Sequence, residues 1–413
     1  MRLLFITNNV PYPPTDGWKI RVWAILRRLA ARHAVTVVTF MRTTEDPSAA
    51  DQLRANGIKV EAVRRDPRYS AIKLMRGLVG RTAFSVLNYD DTRMHAMVRR
   101  VLADGQFDVV QAESVQMSPY CVGASAFRVL DLHNIESLLM RRYAQCAANP
   151  LKRAYAEITW RKLAAYESSI YGRFDHCLAC SEEDRRIALR QAPEAKITVV
   201  PNGVDVRPVL PGRAPLPGPP RLVFVGRMDY HANVDGMLWF CREILPRIRS
   251  RRGDVRVQIV GGHPSPEIRA LEAKEGIEVT GFVSEVNPYV SDAAVMIVPL
   301  RVGGGTRLKV LEAMAMGKAI VSTTVGAEGI AVTPGADIVF ADDPASFATA
   351  VLQLLDKPAH AERLGAAARR LAEARYDWDG IVDRLEALYL AGAARRSGGT
   401  VAAPLAAVAQ VGG

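Results

Sequence analysis

The sequence predicts an α/β protein of two parallel-sheet domains. Three observations carry this. Short apolar strands alternate with amphipathic helical patterns along most of the chain. The alternation breaks at a stretch rich in proline and glycine, Val206–Pro220 (VRPVLPGRAPLPGPP), and restarts after it. The length of 413 residues exceeds what one core ordinarily holds. Repeated β–α alternation brings successive strands into parallel sheets with helices on their faces.

Leu3–Thr7 reads as the first strand. Gly17–Arg32 follows as an amphipathic helix with Ile20, Trp23, Ala24, Leu26 and Leu29 expected inward. Ala34–Phe40 is the next strand, then a helix to Asn56, then the strand Ile58–Val63. Phe107–Gln111 and Arg128–Asp131 continue the sheet. Two helical stretches, Glu136–Ala147 and Leu151–Tyr171, precede the strands Asp175–Cys180 and Ile197–Val200. After the linker come strands at Arg221–Val225, Val255–Val260, Ile277–Thr280, Val295–Leu300 and Ala319–Ser322. Helices at Pro344–Leu355 and Ala359–Ala374 close this half, and Trp378–Leu390 is a last amphipathic helix. The expected organisation is thus a first domain over 1–205, a linker over 206–220, a second domain over 221–376, a crossing helix over 377–392 and a disordered tail over 397–413. In two such domains, ligands are expected outside the carboxyl ends of the strands, in a cleft between them.

Basic residues number 54 against 43 acidic, a formal charge of +11. That excess favours anionic partners such as nucleotides, lipid phosphates or an anionic membrane surface. No nucleic-acid-binding signature accompanies it, so nucleic acid is not expected. Five cysteines, an odd number, form no disulfide framework and suit a reducing compartment. Cys177 and Cys180 read as two buried thiols rather than a redox or metal pair. The N-terminal apolar stretch is too short for a signal peptide, and no run is long enough to span a bilayer. A cytoplasmic protein is expected, with attachment to the inner face of the plasma membrane as a further reading. In RYSAIKLMRGLVGR, Ile72, Met75, Leu78 and Val79 recur at helical spacing among Arg68, Lys73, Arg76 and Arg81. This fits either an interfacial membrane helix or an ordinary amphipathic helix packed on the first domain.

The segment Ala294–Gly317, AVMIVPLRVGGGTRLKVLEAMAMG, is the most informative for chemistry. A buried strand runs into Gly303, Gly304 and Gly305, and Thr306 opens an apolar helical pattern. Bare backbone N–H groups at a positive helix end bind phosphate. Arg307 and Lys309 fall in the first turn, where a bound anion offsets their conflict with the helix dipole. Glu312 stands among Val310, Leu311, Ala313 and Met314, where an unpaired carboxylate is costly; it reads as holding ligand hydroxyls. Arg227 follows a buried strand and offers a fork for phosphate oxygens. Neither a P-loop nor a GxGxxG fingerprint is present, and no G-x-S-x-G elbow supports a serine hydrolase. The seven histidines show no metal-ligand spacing, so no metal is expected. Asp16 can cap the following helix, Gly17 permits close backbone approach, and Lys19 and Arg21 could receive a phosphate-bearing acceptor.

The GGGTRLKVLEAMAMGKAIV segment resembles the donor-binding signature of family-4 retaining glycosyltransferases of the GT-B fold. Other pieces follow in that family's order: VPYPPTDGWKIR, DLHNIES around His133, CSEEDRR from Cys180, PNGVD, FVGRM, GFVSEV from Gly281 and GAEGI from Gly326. The PYPPTDG–KIR opening and the GTRLK wording look most like members tied to bacterial exopolysaccharide biosynthesis. The resemblance implies two Rossmann-like parallel-sheet domains facing a central cleft. It implies transfer of a hexose from a nucleotide-sugar donor to a glycan or lipid-linked acceptor, retaining and metal-independent, with the donor as co-substrate and no cofactor. By resemblance, Glu312 binds the ribose, Gly281, Phe282 and Val283 flank the base, and His133 sits near the donor sugar. The diphosphate meets Arg227, Gly303, Gly304, Gly305, Thr306 and Arg307 or Lys309, and Asp16, Gly17, Lys19 and Arg21 form an acceptor-side loop.

Two positions depart from the family pattern. Its first signature acid falls on Gly304, and a basic residue six past the arginine of GR falls on Asn233. Arg307 or Lys309 is expected to supply the missing charge. Two other readings stay open: a GT-B-type sugar-nucleotide epimerase, which needs further carboxylates beside a histidine, and a non-catalytic nucleotide-binding partner in polysaccharide assembly.

Overall fold

The computed structural model describes residues 1–43, 47–66, 70–147, 149–207, 218–303 and 307–396. The chain divides into two compact units, Met1–Val200 with Val382–Gly413, and Pro201–Ile381. Part of the expected linker and the whole expected tail lie outside the described residues.

The first unit is built on seven parallel strands: β1 (Arg2–Thr7), β2 (Ala34–Arg42), β3 (Lys59–Arg65), β4 (Val109–Glu113), β5 (Phe127–Leu132), β6 (His176–Ala179) and β7 (Ile197–Val199). Their spatial order is β3-β2-β1-β4-β5-β6-β7. β1 and β4 are buried on both faces after Arg2, as near-continuous apolar runs in a parallel sheet require. Helix Gly17–Ala30 starts where Asp16 accepts a hydrogen bond from the Lys19 backbone N–H at 3.1 Å. Val22, Ala24, Ile25, Leu26 and Leu29 are buried along it, with Ile20 and Trp23 only half-buried. A helix over Thr92–Asp104 was not expected, although its buried residues Met94, Val98 and Val101 recur at helical spacing.

The second unit has six parallel strands: β8 (Arg221–Val225), β9 (Arg256–Val260), β10 (Ile277–Gly281), β11 (Val295–Val298), β12 (Ile320–Ser322) and β13 (Val339–Phe340). The order is β10-β9-β8-β11-β12-β13. Strand β13, two residues long, was not anticipated. The last helix, Trp378–Arg396, begins in this unit, and from Val382 onward it belongs to the first.

In each sheet the strand order reverses once, between β1 and β4 and between β8 and β11. Loops leaving the carboxyl ends of those strand pairs diverge to opposite faces, and the crevice they leave is where open α/β sheets bind ligands.

Candidate functional site

In the second unit, β8 ends at Val225 and the chain enters Gly226-Arg227. β11 ends at Val298 and leads to Gly303. Both segments of the expected phosphate site therefore leave the sheet at its switch point. Gly304, Gly305 and Thr306 lie outside the described residues. Gly303 has φ +134°, a conformation glycine adopts without strain. Helix Leu308–Ala315 begins two residues later than the pattern suggested, with Arg307, buried, in the cap position.

Lys309 lies in the first turn of that helix and reaches across to the β8 side. Its Nζ donates to Asn233 Oδ1 at 2.9 Å and stands 4.0 Å from the Phe224 ring centroid. Asn233 Nδ2 in turn donates to the Arg227 carbonyl at 2.8 Å. Gly226 makes room for both: a β-carbon there would stand 2.7 Å from Asn233 Nδ2 and 2.8 Å from Lys309 Nζ. Burial, with the nearby Arg307 charge, lowers the Lys309 pKa to about 7; Glu312 opposes the shift. Lys309 thus places an amine beside Asn233.

Glu312 corrects one premise. Its neighbours Val310, Leu311, Ala313 and Met314 are buried, but Glu312 itself is exposed, because the helix turns those side chains to other faces. Protein around it still pushes its carboxyl above the usual range, opposed by Lys309. Among the described residues no guanidinium pairs with it. Arg227 is exposed and forms a fork with Asp229, with Nη2 2.6 Å from Oδ2. Gly281 has φ +70°, and Phe282 stands exposed beside a concavity of about 670 Å³ that Val283 and Tyr289 also line.

In the first unit, His133 follows β5 at the carboxyl edge. Its Nε2 lies 2.8 Å from Glu113 Oε2, at the end of β4. The Trp18 ring meets the imidazole edge-on, centroids 6.2 Å apart. Gln111 Nε2 donates to Glu113 Oε1 at 2.7 Å, and the Tyr389 hydroxyl donates to Gln111 Oε1. Beside this chain, Arg21 forks onto Asp131, with Nε 3.0 Å from Oδ2 and Nη2 3.2 Å from Oδ1. Arg21 is fully buried, and its attraction to Asp131 holds the guanidinium charged against the desolvation that burial brings.

Arg21 is therefore not an acceptor-side loop residue. It lies one turn inside helix Gly17–Ala30 on the inward face, and two of its donors go to Asp131. Asp16 and Gly17 remain exposed at the helix start, and Lys19 is half-buried. Glu113, Asp131 and His133 offer ligand atoms within 4.8 Å of one another, a grouping that sequence spacing did not reveal. The carboxylates already have partners: Arg21 holds Asp131, and His133 and Gln111 hold Glu113. The arrangement orients an imidazole. The signal was readable in hindsight: Gln111 and Glu113 stand two apart, hence on one face, in an otherwise apolar strand.

Comparison with known proteins agrees with both halves. Residues 15–207 match the model described as Glycosyltransferase Family 4, and residues 219–357 match that of Glycosyl transferases group 1. The glycogen synthase of Mycobacterium tuberculosis is 27% identical, the match spanning 95% of each chain. The crystal structure of Anabaena Alr3699/HepE in complex with UDP superposes with a TM-score of 0.69 at 13% identity, covering 95% of this chain and all of that one. WaaG, a glycosyltransferase involved in lipopolysaccharide biosynthesis, gives a TM-score of 0.64 at 15% identity over 96% of this chain and all of that one. With both domains matched in order on two Rossmann-like sheets, the chain is a GT-B glycosyltransferase.

Proposed function

We propose that the protein transfers a hexose from a nucleotide-sugar donor to a glycan or lipid-linked acceptor, with retention and without a metal, in the synthesis of exopolysaccharide or another cell-surface glycan. The observation that carries this is the Lys309 ammonium at Asn233, beside Gly226 and at the switch point of the second sheet. A diphosphate leaving group needs positive charge where its bond breaks, and a preorganised cation with oriented N–H groups supplies it. Arg227 and Arg307 add charge, with Gly303 and the adjoining Gly304, Gly305 and Thr306 as the phosphate loop. Glu312, exposed and without a guanidinium partner among the described residues, accepts from the ribose hydroxyls. Phe282 offers an exposed ring to the base, with Gly281 and Val283 beside it. His133, fixed by Glu113, stabilises charge that develops at the sugar, and Asp16, Gly17 and Lys19 face the acceptor. The Anabaena relative in fold is known with UDP and with UDP-glucose, which makes a uridine donor the first to try.

Calorimetry with UDP, GDP and ADP, followed by NMR of the glycosidic product, tests the proposal. Binding of one nucleoside diphosphate and a product of unchanged anomeric configuration are expected. A folded protein that binds none of the three overturns it. The two carboxylates beside His133 give the epimerase reading one favourable observation. Deuterium incorporation at a sugar carbon with no acceptor present would replace transfer by epimerisation.

A further inference from the structure

Helix Ala71–Val79 is inside out. Among its residues of described burial the buried one is Gly77, which packs so closely on Phe84 that a β-carbon would stand 2.7 Å from that side chain. Lys162, from the long helix Pro150–Tyr171, ties the end of the short helix down by donating to the carbonyls of Gly77 at 2.7 Å and Leu78 at 2.6 Å. The apolar side chains face outward: Ile72 is 74% exposed, Met75 59% and Val79 84%. The helix of RYSAIKLMRGLVGR thus packs on the domain through Gly77 and Lys162 rather than through Ile72, Met75 and Val79; Arg68 lies outside the described residues.

The long helix extends this surface. Leu151 is 80% exposed and Ile158 is exposed two turns later, with Lys162 one turn further on the same stripe. The stripe covers about 16 Å and ends where Lys162 meets the short helix. Arg76, Arg81, Lys152 and Arg153 are exposed along it. No acidic residue occurs between Ser70 and Tyr89 or between Cys146 and Ala156. Two acids border the face, Glu157, paired with Arg161, and Asp90, beside His95, so cations predominate around it without being alone. Scattered exposed leucines are ordinary in soluble proteins; a run of large apolar side chains at helical spacing in a predominantly basic setting is not.

Its position also matters. The short helix follows the carboxyl end of β3. The long helix delivers the chain to the amino end of β6. It is about 33 Å long, so its first turns lie toward the carboxyl edge of the sheet. His133 lies at that same edge.

We infer that these two helices form a docking face for an anionic lipid surface, apolar side chains entering the interface and the cations meeting lipid phosphates. The face sits on the His133 edge, so an acceptor lodged in that surface would be lipid-linked; this consequence alone rests on the glycosyltransferase reading. Co-sedimentation with vesicles tests the face. Phosphatidylglycerol–phosphatidylcholine vesicles are expected to hold the wild type about tenfold more tightly than pure phosphatidylcholine, and raised salt to weaken the binding. The triple variant Ile72→Ser, Met75→Ser, Val79→Ser should lose about tenfold or more, and Leu151→Ser with Ile158→Ser several-fold. All five side chains are exposed, and circular dichroism confirms folding. Absence of binding to anionic vesicles, or equal binding by the triple variant, overturns the inference. So does self-association in sedimentation velocity that the triple variant abolishes, since it assigns the face to a second copy. Nucleotide calorimetry on the same proteins keeps the two readings apart. Vesicle binding without nucleotide binding sinks the transferase proposal and leaves the docking face standing; the reverse sinks the face alone.

Discussion

Lys309 and Asn233 share one place in the second unit, Nζ 2.9 Å from Oδ1, although the two residues sit on different helices. In the family pattern a basic residue belongs at 233. Here a neutral amide orients a lysine that arrives from the opposite side of the switch point. The Gly226 backbone makes the crossing possible, since no side chain stands between them.

This relationship predicts a pH dependence. Lys309 has a pKa of about 7 without ligand, and a bound diphosphate favours the charged amine. Nucleotide affinity should therefore be greatest below pH 7 and fall as pH rises above it, with proton uptake on binding. Calorimetry in buffers of different ionisation enthalpy checks this. Lys309→Met should abolish the uptake and weaken binding by about 1.5–3 kcal/mol, the range for a hydrogen bond to a charged group.

Glu312→Gln should weaken nucleoside diphosphate binding by about 1–2 kcal/mol, a charged acceptor becoming a neutral one. The decisive comparison is with the 2′-deoxynucleotide. Wild type should discriminate against it, and the variant much less. Equal discrimination by both proteins removes Glu312 from the ribose.

Glu113→Gln should lower kcat by about ten- to a hundredfold while leaving the Kd for the nucleotide unchanged, because charge stabilisation at His133 is lost and the second unit is untouched. A loss confined to Kd contradicts the role given to His133.

Arg21→Met should destabilise the protein by about 3–5 kcal/mol, since Asp131 is left buried without its partner. Urea unfolding measures it. Adding Asp131→Leu should recover part of the loss, which a binding role for Arg21 would not foresee.

Glu167 is buried against Ser137, and burial raises its pKa to about 7. Unfolded, it releases its proton near the usual carboxyl value. Its stability contribution is thus complete below that value and declines as pH rises toward 7. Glu167→Gln should flatten this decline, so that the stability difference between variant and wild type moves by about 1–3 kcal/mol in the variant's favour from low to neutral pH. Thermal unfolding across pH 4–8 follows both proteins.

The alternation of strands and helices was legible because parallel sheets bury whole strands, and buried runs such as VMIV at β11 stand out in a sequence. Gly303, Arg307, Lys309 and Glu312 were legible as a local pattern, being neighbours along the chain. Three things were not. The pairing of Arg21 with Asp131 joins residues 110 apart, and nothing local distinguishes an inward arginine from an outward one. The direction of Glu312 depends on which face helix Leu308–Ala315 turns to the core, and four apolar neighbours concealed it. The outward apolar face of Ala71–Val79 reverses the usual rule, because Gly77 on Phe84 supplies the packing that large side chains ordinarily give.

Tyr389 donates to Gln111, and the residues from Val382 onward complete a unit whose other part ends at Val200. A ribosome must therefore translate roughly 190 further residues, on the order of 10–40 s of synthesis, before the first sheet receives its last helix. During that interval the nascent amino-terminal segment waits with an uncovered flank, which makes it a natural client for chaperones and makes premature termination costly even where every sheet residue has already been made.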